Sequence, residues 1–417
     1  MIATISPASL GGSIPAIASK SDAHRLLILA ALCCGETRLK MEQRSEDIDA
    51  TISCLRALGA GIELAPDGVL VRGIERVNEN PLLDCGESGS TFRFLLPVAC
   101  ALCNQARFTG HGRLPERPIG ELMQVLQAHG VTFSAEQLPF AASGRLSGGA
   151  FSVPGNVSSQ YLTGLLLALP LLQQDSTISL TTRLESAAYV DLTLHALKRF
   201  GVHVDSSGMQ YAISGGQSIQ SPGELRVDGD WSNASFFLAA GALGNFVTVT
   251  GLSLDSPQGD KAILPFLERF GAFVSAKADG VTVSPARLSG CTIDVNETPD
   301  LLPILAVLGA VAAGETRLIN ASRLRLKESD RLASVAAMIR ALGGRAEELP
   351  DSLVITGGSL AGGTVESCRD HRIAMSAAIA SINCAKPVTI LGAEAVNKSY
   401  PAFYQNFSHL GGCVDVV

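Results

Sequence analysis

The chain has 417 residues, 47% of them apolar and only 17% charged, so two or three domains with sizeable cores are expected and many helices must be buried on more than one side. With 32 Lys and Arg against 39 Asp and Glu, the net charge is −7, which excludes a protein that holds nucleic acid through a general basic surface. The longest apolar stretch, Leu301 to Ala313, is too short to span a membrane, and the N-terminus Met1-Ile2-Ala3-Thr4-Ile5 has no basic or long apolar leader, so a cytoplasmic protein is expected.

In chain order, a strand-like segment, MIATISP, comes first and belongs to no repeat of its own. Then follow six pairs of predicted helices, the first of each pair apolar on nearly every face: LLILAALCC (26–34), FRFLLPVACALC (92–103), QYLTGLLLALPLL (160–172), ASFFLAAGAL (234–243), LLPILAVLGAVAA (301–313) and RIAMSAAIASI (372–382). Strands follow them, as in GETRLK (35–40), NFVTVTGL (245–252), GETRLI (314–319) and KPVTILGA (386–393). The second helix of each pair is amphipathic and ends at a glycine: Gly59, Gly130, Gly201, Gly271, Gly343 and Gly411, at intervals of 71, 71, 70, 72 and 68 residues. Strand-turn-strand patterns follow, in GIELAPDGVLVRG, VHVDSSGMQYAISG, FVSAKADGVTVS and RAEELPDSLVITG.

The unit is therefore β-α-β-α-β-β, repeated six times, with buried and exposed helices alternating. Only six residues remain after Gly411, so the sixth repeat lacks its last strand, and the N-terminal strand is expected to supply it. That makes one domain discontinuous, residues 1–16 with 228–417, around a domain of residues 17–227. The chain crosses between them near Gly11 to Ile17 and near Gly223 to Gly229. Ten cysteines lie scattered without framework spacing, and Cys100 and Cys103 sit inside an apolar run, so reduced core thiols are expected.

Polar residues lead into each buried helix: Lys20-Ser21-Asp22-Ala23-His24-Arg25, Glu87-Ser88-Gly89-Ser90-Thr91-Phe92-Arg93, Ser158-Ser159-Gln160, Asp230-Trp231-Ser232-Asn233, Thr298-Pro299-Asp300 and Asp370-His371-Arg372. Capping accounts for the Ser and Asp residues. It does not account for the cations, which oppose the helix dipole unless an anion sits between them and the free N–H groups. If the three buried helices of a domain run parallel, their positive ends share one face, and two such faces opposed make an anion-binding cleft. Lys20, Arg25, Arg93, Arg117, Lys327, Arg331, Arg372 and Lys398 are the candidate cations, enough for two anionic groups or more. His371 reads as a hydrogen-bonded structural histidine.

These segments resemble the 5-enolpyruvylshikimate-3-phosphate synthases of the enolpyruvyl transferase superfamily. SKSxxxR at 19–25, SGSTFR at 88–93, ERPIG at 116–120, SSQYLTGLL at 158–166, LKESDRL at 326–332, DHRIAM at 370–375 and NKSYP at 397–401 occur in the family's order. The resemblance implies an inside-out α/β barrel in two domains, each of three βαβαββ units with parallel helices inside and sheets outside. It implies transfer of the enolpyruvyl group of phosphoenolpyruvate to the 5-hydroxyl of shikimate 3-phosphate, with release of phosphate and without metal or organic cofactor. It implies that Lys20, Ser21, Arg25, Ser158, Ser159, Gln160, Ser186, Asp300 and Lys327 hold shikimate 3-phosphate, with Tyr189 nearby. It assigns phosphoenolpyruvate to Lys20, Gly89, Arg93, Arg117, Gln160, Arg331, Arg372 and Lys398. Asp300 is then the base toward the 5-hydroxyl, and Glu328 with Lys20 exchanges the methyl proton, which requires substrate charge or burial to raise the Glu328 pKa. Domain closure would exclude water, and a monomer suffices.

Arg323 stands where some members carry Asn, which leaves contact with shikimate 3-phosphate at that position unsupported. The related UDP-N-acetylglucosamine enolpyruvyl transferases have a cysteine in the loop corresponding to 111–120, and none is present here. A non-catalytic repeat scaffold that binds a protein partner predicts polar residues that vary freely at helix starts and no tight binding of small anions. An enzyme of nucleic-acid ends is disfavoured by the negative charge and the 5% aromatic content.

Overall fold

The computed structural model describes all 417 residues. The chain divides into two compact units, Ala18–Val227 and the discontinuous Met1–Ile17 with Asp228–Val417, each with its own apolar core. Six four-stranded sheets carry the repeat, three in each unit. In every sheet one edge strand pairs parallel with its neighbour, and the other two lie antiparallel beside that pair, joined as a hairpin in every sheet except the one that Ile2–Ser6 enters. Residues 82–84, 105–109, 140–143 and 132–133 show the spatial order. The sheets stay separate, with no ladder joining one to the next, so the layer around the helices is not a hydrogen-bonded barrel. Alternation of buried and exposed residues, as in Glu36–Lys40 and Glu315–Ile319, turns one face of each strand to the helices and the other to solvent.

The strand Ile2–Ser6 lies between Val388–Leu391 and Cys413–Val416, antiparallel to both, and occupies the place of the missing last strand of the sixth repeat. Ala3 and Ile5 are fully buried there. At the two crossings the first strands are exchanged. Gly12–Pro15, which precedes the helix Lys20–Leu32, pairs with Val247–Thr250, and Glu224–Arg226, which precedes the helix Trp231–Leu243, pairs with Glu36–Lys40.

The apolar helices are Lys20–Leu32, Gly89–Leu102, Ser159–Ala168, Trp231–Leu243, Leu302–Val311 and His371–Ala380, and they form the two cores. Their apolar residues face every direction because neighbouring helices and sheets enclose them. All six repeat glycines have positive φ, from 76° to 119°, the left-handed conformation that ends a helix at little cost only for glycine. In the unit of the C-terminus the starts of the three buried helices meet: Arg372 Nη2 donates to Ser232 Oγ at 2.7 Å and to Asp300 Oδ2 at 3.0 Å. Their far ends meet too, where Asn383 Nδ2 donates to Leu243 O at 3.4 Å and Val311 lines the same cavity as these two residues, so these helices run parallel.

In the unit 18–227, Gln160 Nε2 donates to Ser90 Oγ at 3.0 Å and Arg25 Nη2 to Thr163 Oγ1 at 3.4 Å, which gathers the three starts. Two of these helices touch backbone to backbone. Pro97 lacks the N–H that would bond the carbonyl of Arg93, and a Cβ on Gly164 would lie 2.3 Å from that carbonyl oxygen. Glycine at 164 is what permits the approach.

Candidate active site

Capping at the buried helix starts is done by Ser19, Ser88, Ser158, Asp230 and Asp370, whose side-chain oxygens accept backbone N–H groups two or three residues on. Asp300 does not cap. It lies in the 3-10 turn Pro299–Leu301, and its carboxylate is bonded to cations instead.

In the unit 18–227, Lys20 Nζ is 2.8 Å from Asp47 Oδ2, and the Asp47 carbonyl accepts from Thr91 Oγ1 at 3.4 Å. That ties the first buried helix to the start of the second. Arg25 is 2% exposed and lies over the Phe94 ring at 5.0 Å. It donates to Ser21 O at 2.6 Å, Thr193 Oγ1 at 2.8 Å, Tyr189 O at 2.8 Å and Thr163. Four of its five N–H groups thus brace the unit from within. Burial pulls Arg25 down to about 10, still charged at neutral pH. Burial and then the charges of Lys20 and Arg25 hold His24 well below the usual histidine range, so its Nδ1 meets Thr51 Oγ1 at 2.7 Å as part of a neutral ring.

Arg93 donates to Gln160 Oε1 at 3.0 Å and to Pro118 O at 2.7 Å, the latter in the loop that carries Arg117. Gly89 lies under both guanidinium groups: a Cβ there would be 2.6 Å from Arg117 Nη1 and 2.8 Å from Arg93 Nη1. Gly89, Arg93, Arg117 and Gln160 therefore form one cluster. Ser158 and Ser159 stand at the start of the third buried helix. Ser186 is buried at φ 55°, a left-handed conformation uncommon for a residue with a side chain, and its carbonyl accepts from Tyr189 N at 3.1 Å.

In the other unit, Arg331 is 1% exposed and joins three carboxylates. Its Nη1 is 2.7 Å from Asp300 Oδ1, its Nη2 2.7 Å from Glu328 Oε2, and its Nε 2.8 Å from Asp370 Oδ2. Lys327 Nζ is 3.7 Å from Asp300 Oδ1, and Arg372 reaches Asp300 Oδ2. Burial would push the Asp300 carboxyl up, but Arg372, Lys327 and Arg331 outweigh it and hold the group well below the usual carboxylate range. Burial opposes charge on Arg331 too, and Asp370, Glu328 and Asp300 more than compensate. Asp300, Lys327, Glu328, Arg331 and Arg372 thus form a second cluster.

Lys398 stands at its edge, with Nζ 2.7 Å from the carbonyl of Arg369. Cys368 and Arg369, at φ 53° and 55°, are consecutive left-handed residues just before Asp370, a bend that aims this carbonyl at Lys398. Arg323 Nη2 donates to Asn296 O at 2.9 Å, which directs it to the loop before Asp300.

Two partners escape a reading of the sequence. Asp47 sits in the first turn of the helix Glu46–Leu58 with Glu46 and Asp49, where any acid suits the helix dipole, so nothing local marks it as the partner of Lys20. Asp370 reads as a cap, and it does cap, but it is also the deepest ion partner of Arg331. Burial pushes the Cys100 thiol up to about 12 and Cys103 to about 11, so this CxxC has no thiolate character at neutral pH.

The sequence profile of EPSP synthase (3-phosphoshikimate 1-carboxyvinyltransferase) matches residues 5–407. The chain belongs to the EPSP synthase family. It is 43% identical to the 3-phosphoshikimate 1-carboxyvinyltransferase of Clostridium novyi, over 99% of this chain and 98% of that one. The corresponding enzyme of Clostridioides difficile is 39% identical over the same shares. The solved structure of EPSP synthase from Acinetobacter baumannii matches with a TM-score of 0.83 at 25% identity, covering both chains completely. No helix of the chain is long and apolar enough to cross a membrane.

Proposed function

We propose that the two clusters carry out the reaction of the family: the enolpyruvyl group of phosphoenolpyruvate passes to the 5-hydroxyl of shikimate 3-phosphate, and phosphate leaves. The observation that carries the assignment of roles is the convergence of Arg331, Arg372 and Lys327 on one carboxylate, Asp300. Lys20, Ser21, Arg25, Ser158, Ser159, Gln160, Ser186 and Lys327 hold shikimate 3-phosphate, Arg25 chiefly by bracing the site from beneath. Lys20, Gly89, Arg93, Arg117, Gln160, Arg331, Arg372 and Lys398 receive phosphoenolpyruvate, whose carboxylate and phosphate suit the planar fork of arginine.

Asp300 takes the proton of the 5-hydroxyl as its oxygen bonds to C2 of phosphoenolpyruvate, while a proton is delivered to the methylene carbon. Glu328 with Lys20 exchanges that methyl proton. The tetrahedral intermediate then loses phosphate and one methyl proton, which restores the double bond. A carboxylate held so low by three cations is a weak base. Substrate anions that draw Arg331 and Arg372 toward themselves release Asp300 from that grip, so its basicity rises when both substrates are in place.

Every residue in the proposal comes from one chain, so a monomer in the cytoplasm satisfies it. The test is phosphate release from phosphoenolpyruvate with either shikimate 3-phosphate or UDP-N-acetylglucosamine as acceptor. Release with the first alone is expected; release only with the second would overturn the assignment.

A further inference from the structure

Behind the Asp300 cluster lies an acid that no motif above includes. Asp260 sits in the 3-10 turn Gly259–Ala262, which is clipped to the start of the helix Trp231–Leu243: Gln258 Oε1 accepts from Trp231 N at 3.1 Å, and Gln258 Nε2 donates to Gly229 O at 2.8 Å. Asp260 is only 5% exposed, and its Oδ1 has no hydrogen-bond partner. The turn's clip to Trp231 sets Asp260 beside Ser232, whose hydroxyl favours the ionised carboxylate. That hydroxyl accepts from Arg372 Nη2 at 2.7 Å, so its single proton is free to be donated onward to Asp260.

The charged groups facing Asp260 are Asp300, Arg372 and Asp230, while the adjacent Lys261 turns away to the carbonyls of Leu254 and Ser256. Burying a carboxylate beside two others is costly unless a cation is shared among them. Arg372, ion-paired with Asp300, offsets that repulsion at Asp260.

We infer that Asp260 is a positioning residue of the phosphoenolpyruvate site, which fixes the guanidinium of Arg372 through the hydroxyl of Ser232. Ionised, Asp260 can only accept, so the Ser232 proton points to it and the Ser232 lone pairs point to Arg372. Protonated, Asp260 loses the charge that draws the Ser232 proton and can itself donate, so the hydroxyl is free to turn and the relay loosens. Burial, then repulsion from Asp300, pushes the Asp260 carboxyl up to about 6, which puts this change within the range of an activity assay.

The inference rests on the reading of Arg372 as a phosphoenolpyruvate ligand. It is tested by the KM for each substrate as a function of pH in the wild type, Asp260→Asn, Asp260→Ala, Ser232→Ala and Arg372→Gln, with thermal unfolding as the check on folding. Ser232→Ala and Asp260→Ala should each raise the phosphoenolpyruvate KM about tenfold and leave that for shikimate 3-phosphate within about twofold. Asp260→Asn keeps an acceptor but cannot titrate. The wild-type rise in phosphoenolpyruvate KM as pH falls through about 6 should therefore exceed that of Asp260→Asn, the titration of the substrate phosphate being common to both. Identical pH profiles, or equal changes in both KM values, would overturn the inference. If Asp260→Ala does not fold, Ser232→Ala decides, and an unchanged phosphoenolpyruvate KM refutes the relay. Arg372→Gln separates the two levels. If it leaves phosphoenolpyruvate binding intact, the underlying reading fails; if it destroys binding while Ser232→Ala is silent, only the relay fails.

Discussion

Gly89 shows how one hydrogen atom sets the geometry of a site. Its missing Cβ is the space into which the guanidinium groups of Arg117 and Arg93 lean. Gly89→Ala should displace Arg117, whose tip is flexible, rather than unfold the helix. The expected result is a phosphoenolpyruvate KM raised about tenfold or more, with weaker inhibition by glyphosate, a mimic of that substrate, while melting temperature changes little. Steady-state kinetics with glyphosate as competitor checks this, and unchanged inhibition would count against it. Asp260 gives a stability signature of its own. Its carboxyl is higher in the folded chain, at about 6, than its ordinary 3.8, so the folded state holds this proton more tightly and wild-type stability falls as pH rises from about 4 through 6. Asp260→Asn removes the loss. The stability of the variant relative to wild type should therefore climb across that window, by on the order of 3 kcal/mol in all, and level off above it, as urea titrations at several pH values would reveal.

At the level of elements, the close approach of Gly89–Leu102 and Ser159–Ala168 links packing to chemistry, because the residues beside the contact are Arg93 and Gln160. Gly164→Ala meets a backbone carbonyl, which cannot swing aside as a side chain can. Forcing the helices apart should cost about 1–3 kcal/mol and stretch the Arg93–Gln160 hydrogen bond, so lowered thermal stability and a raised phosphoenolpyruvate KM should appear together. Most elements were legible in the sequence. Period-2 hairpins, all-apolar helices and terminal glycines are local patterns, and counting strands after Gly411 exposes the gap that Ile2–Ser6 fills. What was not legible is pairing decided at a distance. The expected bounds 1–16 with 228–417 and 17–227 put Gly12–Pro15 and Glu224–Arg226 each in the unit it is leaving, but not beside its partner, Val247–Thr250 or Glu36–Lys40, far off in the chain. The cations could be named from their place at helix starts, where they contradict the dipole. Asp47 and Asp260 could not, because an acid in a first turn or a loop is what solvent exposure alone would select.

For the molecule as a whole, the separate cores have a direct consequence. Residues 18–227 contain three complete sheets, the strand Glu224–Arg226 closing the first of them, so this segment expressed alone should fold. A cooperative urea transition and a near-ultraviolet dichroism signal are expected from it, with no phosphate release, since Asp300, Glu328 and Arg331 are missing. A segment that stays unfolded would show that its core depends on the rest of the chain.

The strand Ile2–Ser6 carries a further consequence, for synthesis on the ribosome. Its two neighbours, Val388–Leu391 and Cys413–Val416, follow every other strand of the six sheets in the chain. At about 5–20 residues per second, the earliest strand to emerge waits roughly 20–80 s for its partners. Meanwhile residues 18–227 can complete their own core. Throughout that interval this five-residue strand lacks both of the neighbours that cover its edges in the folded chain.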